Sequence, residues 1–152
     1  MMRLLALDVG EQRIGVAVCD ELGMIATPLT VVHHTSKRAD FRRIAELVRE
    51  AEAAGIVMGH PLNEDGSAGP QAHYIEGWAS ELAAALQTWG LDVPITLWDE
   101  YGTTQRAQAA MIASGRKARD RREWIDAAAA AAILQSYLDN RRPPPAPPLP
   151  EE

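Results

Sequence analysis

Leu4-Leu5-Ala6-Leu7-Asp8-Val9-Gly10, continuing as Glu11-Gln12-Arg13-Ile14-Gly15-Val16-Ala17-Val18-Cys19-Asp20, is the stretch on which the fold turns. Leu4 to Leu7 is a short apolar run of the kind a strand buried on both faces shows. It ends on a carboxylate, Asp8, and then a glycine, Gly10. Ile14 to Cys19 is a second β-type run, so the two read as a hairpin joined through Val9–Arg13. An Asp at the mouth of a central strand costs free energy unless water, a hydrogen-bond donor or a metal ion satisfies it. Two readings are open at this point: a capping Asp at a strand exit, or a carboxylate with a chemical task.

Outward from the hairpin, Met24–Val32 reads as a third strand, and Pro28 inside it argues for an edge position because proline cannot donate to a ladder. Asp40 can cap a helix running to about Ala54, with Phe41, Ile44, Val48 and Ala51 on one stripe. Gly55–Gly59 is a short buried strand that opens into a loop, His60 to Pro70, rich in Gly, Asn, Asp and Pro. Gln71 to about Thr88 is a helix with Ile75, Trp78, Leu82, Leu86 and Trp89 as its apolar stripe, closed by Gly90. Val93–Trp98 is a further strand ending on Asp99-Glu100. Thr103 or Thr104 can cap a helix through Ser114, which Gly115 stops. A basic linker follows, and then a last helix from about Glu123 to Asn140. Residues 1–140 form one domain; residues 141–152 hold six of the ten prolines and read as a disordered or extended tail.

The order β-β-β-α-β-α-β-α-α predicts a mixed α/β sheet of five strands, a three-strand meander followed by βα units, with helices on both faces. If strands one, four and five run parallel, their C-terminal ends open on one edge, where ligands bind in open α/β sheets. Asp8, the loop after strand four and Glu100 all fall there.

With 152 residues, 47% of them hydrophobic, the chain has enough length for a sizeable core. No apolar run reaches the roughly 18–20 residues of a membrane span, and the start reads as a strand and not as a secretion signal. The one cysteine, Cys19, is a small core residue in a strand. A cytoplasmic protein is the expectation. Net charge −6 argues against a protein that coats nucleic acid by bulk electrostatics. The charge is uneven, however: Arg-Lys-Ala-Arg-Asp-Arg-Arg at 116–122 carries five positive charges against one negative, and residues 37–43 carry four against one. Such runs are either solvated surface or phosphate-binding segments.

Three acidic positions converge. Asp8 ends strand one, Glu100 ends strand five, and Asp126 stands in the first turn of the last helix. Ala129, Ala130, Ile133 and Tyr137 share its face, so Asp126 lies on the stripe that meets the sheet. Six alanines, 127–132, let that helix approach closely. Three carboxylates without cations repel and raise one another's pKa. Hard divalent cations such as Mg²⁺ or Mn²⁺ resolve this, because they prefer oxygen ligands and share substrate phosphates. Strand five lies about 9–10 Å from strand one, a span that a Glu side chain plus metal ions can close.

These residues resemble a known family. Leu-Ala-Leu-Asp-Val-Gly-Glu-Gln-Arg-Ile-Gly-Val-Ala-Val, Met-Gly-His-Pro-Leu-Asn-Glu-Asp-Gly-Ser, Asp-Glu-Tyr-Gly-Thr-Thr and Ile-Asp followed by six alanines and Ile-Leu-Gln look like the four motifs of the YqgF/RuvX family, in its order and over residues 3 to about 138. The resemblance implies a ribonuclease H-like fold and a metal-dependent nuclease, acting in pre-16S rRNA processing or as a Holliday junction resolvase. It gives Asp8, Glu100 and Asp126 the catalytic and metal-holding roles with Mg²⁺ or Mn²⁺. Arg13 takes the place of the basic residue of the first motif, and Arg122 that of a basic residue just before the last Asp. With them, Asn63 of the second motif and Arg116, Lys117 and Arg119 of the basic run are the nucleic-acid-binding candidates, and His60, Asp99, Thr103 and Thr104 the accessory ones. The chain departs from the pattern at His60, where the family has an aliphatic residue, and at Tyr101-Gly102, where it has an Arg and an aliphatic.

Other readings compete. An actin-like or sugar-kinase-like ATP binder also has an Asp-x-Gly strand, but needs a second domain. A non-catalytic nucleic-acid binder could keep the fold, but all three carboxylates are present. His60 could orient water, ligate a softer metal or touch a phosphate, or it could only shape the turn before Pro61. His33-His34 reads as a surface turn far along the chain from the acidic edge, and Trp78 and Trp89 as core. The expectation is a metal-dependent nuclease, monomer or homodimer, whose partner is nucleic acid, RNA before structured DNA, and not a membrane.

Overall fold

The computed structural model describes residues 3–99 and 118–141, the first six residues of the second segment by backbone alone. Within it, β1 (Arg3–Val9), β2 (Arg13–Cys19), β3 (Ala26–His33), β4 (Ala53–His60) and β5 (Ile95–Asp99) form one sheet in the order β3-β2-β1-β4-β5. The meander β1–β2–β3 is antiparallel, and β4 and β5 run parallel to β1. This is the mixed five-stranded sheet the sequence predicts. Pro28 lies in the edge strand β3, beside a register shift at Val16/Ala17, the kind of position where a sheet tolerates a residue without an amide proton. The hairpin connection is residues 10–12, closed by the Gly10 amide donating to the Arg13 carbonyl at 2.9 Å.

Strand alternation divides the core in two. Leu5, Leu7 and Val9 of β1, with Ile56 and Met58 of β4, face helices α1 (Lys37–Ala51) and α2 (Pro70–Thr88). There Phe41, Ile44, Val48 and Ala51 are buried, as are Ile75, Trp78, Leu82 and Leu86. Trp78 meets Phe41 edge-on at 5.1 Å between ring centroids, and Gly90 follows α2 with φ +79, the left-handed geometry that ends a helix. On the other face Ala6, Ala17, Cys19 and Val57 meet Ala130, Ile133, Leu134 and Tyr137 of helix α3 (Ala118–Arg141). Cys19 is buried and accepts a hydrogen bond from the Leu4 amide at 3.2 Å. Trp98 of β5 is only half-buried: it stands edge-on to Tyr137 and donates to Ser136 Oγ at 3.1 Å.

Several boundaries differ from expectation. Ser36, not Asp40, caps α1, its hydroxyl accepting from the Ala39 amide, and Asp40 is buried in the first turn. The helix ends at Ala51, with Glu52 in the left-handed region. β3 starts two residues later than expected, and β4 runs on through His60, which therefore belongs to the strand and not to the loop. Helix α3 begins at Ala118, so Arg119 and Arg122 lie on its backbone and not on a linker, and Asp126 sits two turns inside it. Arg and Ala are good helix formers, which the charge density of the run obscured. The expected helix from Thr103 or Thr104 to Ser114, and residues 142–152, lie outside the described residues. No helix among those described is long and apolar enough to cross a membrane.

Trp78 is only 2% exposed at the joint between α1, α2 and the sheet. Trp78→Ala should lower unfolding free energy by about 3–5 kcal/mol, read as a shifted urea midpoint with an unchanged slope.

Candidate functional site

The site is built where α3 meets the hairpin. Asp8 lies directly across the ladder from Gly15, and both project on the α3 side, because Ala6 and Ala17 do. A Cβ at Gly15 would sit 1.8 Å from the Asp126 carbonyl oxygen and 2.3 Å from its carbon. Helix α3 thus rests its backbone on the bare surface of Gly15, and residue 126 is delivered beside Asp8. Ala127 to Ala132 are all buried around this contact. Only small residues on both elements permit such an approach.

Arg13 projects from the start of β2 on the same side, and its Nε donates to Asp126 Oδ2 at 2.6 Å. The pair is about one-third exposed on the Arg side and one-quarter on the Asp side, so water screens it in part. Asp8 is half-buried. The corner therefore holds two carboxylates and one guanidinium, open enough to meet a ligand.

The other predicted residues distribute as follows. Glu100, Thr103, Thr104, Arg116 and Lys117 lie outside the described residues, and Arg119 and Arg122 are described by backbone only. Asp99 is exposed and pairs in register with His60 across β4–β5. His60 shares the face of Ile56 and Met58 and its Nε2 lies 3.8 Å from Glu76 Oε1 of α2, so the ring is on the sheet face opposite Asp126. That nitrogen is buried and has no hydrogen-bond partner. Asn63 stays in its own loop, its side-chain amide donating to Ser67 Oγ at 3.0 Å, while Gly66 makes the turn at φ +85. Among the described residues no three His, Cys, Asp or Glu side chains gather as a metal-binding group.

One pair escaped the sequence. His34 is not a surface turn remote from the acidic edge: its Nδ1 lies 2.6 Å from Asp40 Oδ2 and its Nε2 2.9 Å from the Gly10 carbonyl, two residues beyond Asp8. Asp40 is the only charged residue buried among those described. A His and an Asp six residues apart, between an edge strand and a helix cap, were the signal available.

Among the described residues, the sheet order, with two helices on one face and one on the other, is that of the ribonuclease H-like class of α/β proteins. Solved structures agree: RuvC of T. thermophilus in complex with a Holliday junction substrate superposes with a TM-score of 0.56 at 19% identity, covering 92% of this chain and 96% of that one. The fowlpox virus Holliday junction resolvase gives 0.55 at 12% identity, over 91% and 99%. Within that class the chain belongs to the RuvX family, described as Holliday junction resolvase, which it matches over residues 2–140. Relatives named "Putative pre-16S rRNA nuclease" include one from Syntrophus aciditrophicus, 47% identical over 91% of this chain and 89% of that protein. Another, from Anaeromyxobacter sp., is 44% identical over 92% and 98%.

Gly15→Ala tests the contact that builds the corner. The neighbour is helix backbone and cannot step aside as a flexible side chain would, so α3 must shift. The substitution should destabilise the fold by at least about 1–3 kcal/mol in chemical denaturation and change the near-ultraviolet signal of Trp98 against Tyr137. An unperturbed spectrum and midpoint would mean that α3 does not rest on residue 15.

Proposed function

We propose that this chain is a nuclease that hydrolyses phosphodiester bonds with divalent metal ions, in the maturation of 16S rRNA precursors in the cytoplasm. The observation that carries the reading is the corner itself: Asp8 and Asp126, far apart in the chain, are brought over Gly15 with Arg13 beside them. The names of relatives at 44–47% identity point to the substrate. A second reading, cleavage of four-way DNA junctions, is favoured by the description of the RuvX family.

The donor set fits the metal in kind. Carboxylate oxygens are hard ligands, suited to Mg²⁺ or Mn²⁺ and not to a thiol-seeking ion. The one cysteine is buried, with its sulfur turned to a backbone amide. Asp8 and Asp126 would hold the metal, together with Glu100. When bound, such ions supply a water activated at neutral pH and stabilise the leaving oxygen of the scissile phosphate. Arg13 holds Asp126 in place and offers two further N–H-bearing nitrogens to a phosphate oxygen, which the forked guanidinium suits. Arg116, Lys117, Arg119 and Arg122 are assigned to the substrate backbone, where they position without reading bases. Asn63 orders the loop after β4 and is assigned a backbone contact. His60, Asp99, Thr103 and Thr104 are assigned supporting roles; from the α2 side, His60 would act on the shape of the edge and not on the metal.

Asp8→Asn keeps the shape and removes a ligand charge. Changes to groups that merely support metal ligands cost about 10–100-fold, so loss of a ligand should lower turnover by more than about a hundredfold with the circular dichroism unchanged. The assay compares single-stranded RNA, a structured rRNA precursor, duplex DNA and a four-way junction, with Mg²⁺, with Mn²⁺ and with chelator. Wild-type turnover in a folded Asp8→Asn protein would contradict the metal-nuclease reading. Preferential cutting of the junction would move the substrate to the second reading.

A further inference from the structure

His34 is held at both ring nitrogens by groups that can only accept: the Asp40 carboxylate at Nδ1 and the Gly10 carbonyl at Nε2. Both contacts close as hydrogen bonds when each nitrogen carries a proton, which makes the ring an imidazolium. Asp40 is 3% exposed, and its second oxygen accepts from the Thr35 amide at 3.2 Å. A carboxylate so deeply placed needs a charged partner, and His34 is positioned to be one. The same residue reaches the hairpin a second time: the His34 amide donates to the Gln12 carbonyl at 3.0 Å. The short connection between Asp8 and Arg13 is thereby gripped at Gly10 and at Gln12 and closed on itself from Gly10 to Arg13.

We propose that His34 forms an ion pair with the buried Asp40 that positions the β1–β2 connection, and through it Asp8 and Arg13, so that the alignment of the site depends on the proton held by His34. From the functional reading this takes only the membership of Asp8 and Arg13 in the site. His34 and Asp40 are positioning residues, since neither touches the corner itself.

Among the described residues few other charges face the ring. Helix α1 contributes Asp40 and the hairpin the Gly10 carbonyl; Glu11 and His33 are exposed. Arg13 is committed to Asp126 on the α3 side, and Lys37 of α1 to Glu81 of α2 at 2.7 Å. Burial alone would lower the ionisation of His34, but the hydrogen bond to Asp40, the one to Gly10 and the Asp40 charge together outweigh it, so the ring titrates above the ordinary histidine value. A raised value in the folded state means the grip is fully present below about pH 6.5. It is lost as pH rises through the folded-state value.

The experiment follows the imidazole nitrogens of the full chain by NMR from acid to alkaline pH, together with amide exchange at residues 10–13. His34 should remain doubly protonated at neutral pH, and exchange at Gly10 to Arg13 should accelerate as it deprotonates. A neutral His34 ring at pH 7, or exchange indifferent to its titration, overturns the proposal without recourse to any variant. The second arm compares kcat/KM of His34→Gln and wild type across pH. Gln carries no titrating proton, so the variant should fall roughly ten- to a hundredfold below wild type at neutral pH, as a small misplacement does, and the ratio should climb toward one as wild type loses its proton. A merely structural loss would give a ratio flat with pH, and that result also overturns the proposal. If neither protein cleaves any substrate, the functional reading fails while the titration and exchange decide the ion pair alone.

Discussion

The contact between the Asp126 carbonyl and the bare backbone of Gly15 is the constraint on which the rest depends. Helices normally meet a sheet through a layer of side chains. Here α3 dispenses with that layer over its middle, and everything nearby is sized accordingly: Ala6, Ala17 and Cys19 on the sheet, Ala127 to Ala132 on the helix. Interiors are packed to crystal density, so a single added carbon in such a place displaces an element and does not merely crowd it. The reward is positional. A carboxylate on a helix reaches the mouth of the central strand, where Asp8 already stands.

Electrostatics then fixes what packing brings together. The connection from Asp8 to Arg13 runs between two side-chain contacts on opposite sides of the sheet, the Arg13–Asp126 ion pair toward α3 and the His34–Asp40 hydrogen bond toward α1. The first is partly open to water and free to exchange partners with a ligand. The second is anchored on the buried Asp40 carboxylate.

The hairpin, the edge strand with Pro28 and the buried stripes of α1 and α2 were legible because strand and helix periods leave a local pattern. So did the alanine run, which announced a close approach, although not that its target was Gly15. The start of α3 was misplaced because charge density and Gly115 suggested a break, while helix propensity, a weaker signal, carried on through Arg119 and Arg122. The placement of His60 followed from strand length: once β4 extends to residue 60, alternation sends its ring to the α2 side. Contacts such as Arg13 with Asp126, 113 residues apart, and His34 with Gly10 have no sequence signature at all. They depend on which elements the fold makes neighbours. The family resemblance supplied Arg13 and Asp126 as members of one site, and the structure supplied their bond.

Paramagnetic broadening of backbone amides during an Mn²⁺ titration tests the central claim most directly, since it locates the ion without requiring turnover. If the corner over Gly15 holds the metal, amides flanking Asp8, Gly15 and Asp126 should broaden first and together, and Asp126→Asn should abolish the effect at all three. Broadening elsewhere, or at these amides with undiminished strength in Asp126→Asn, would contradict the account.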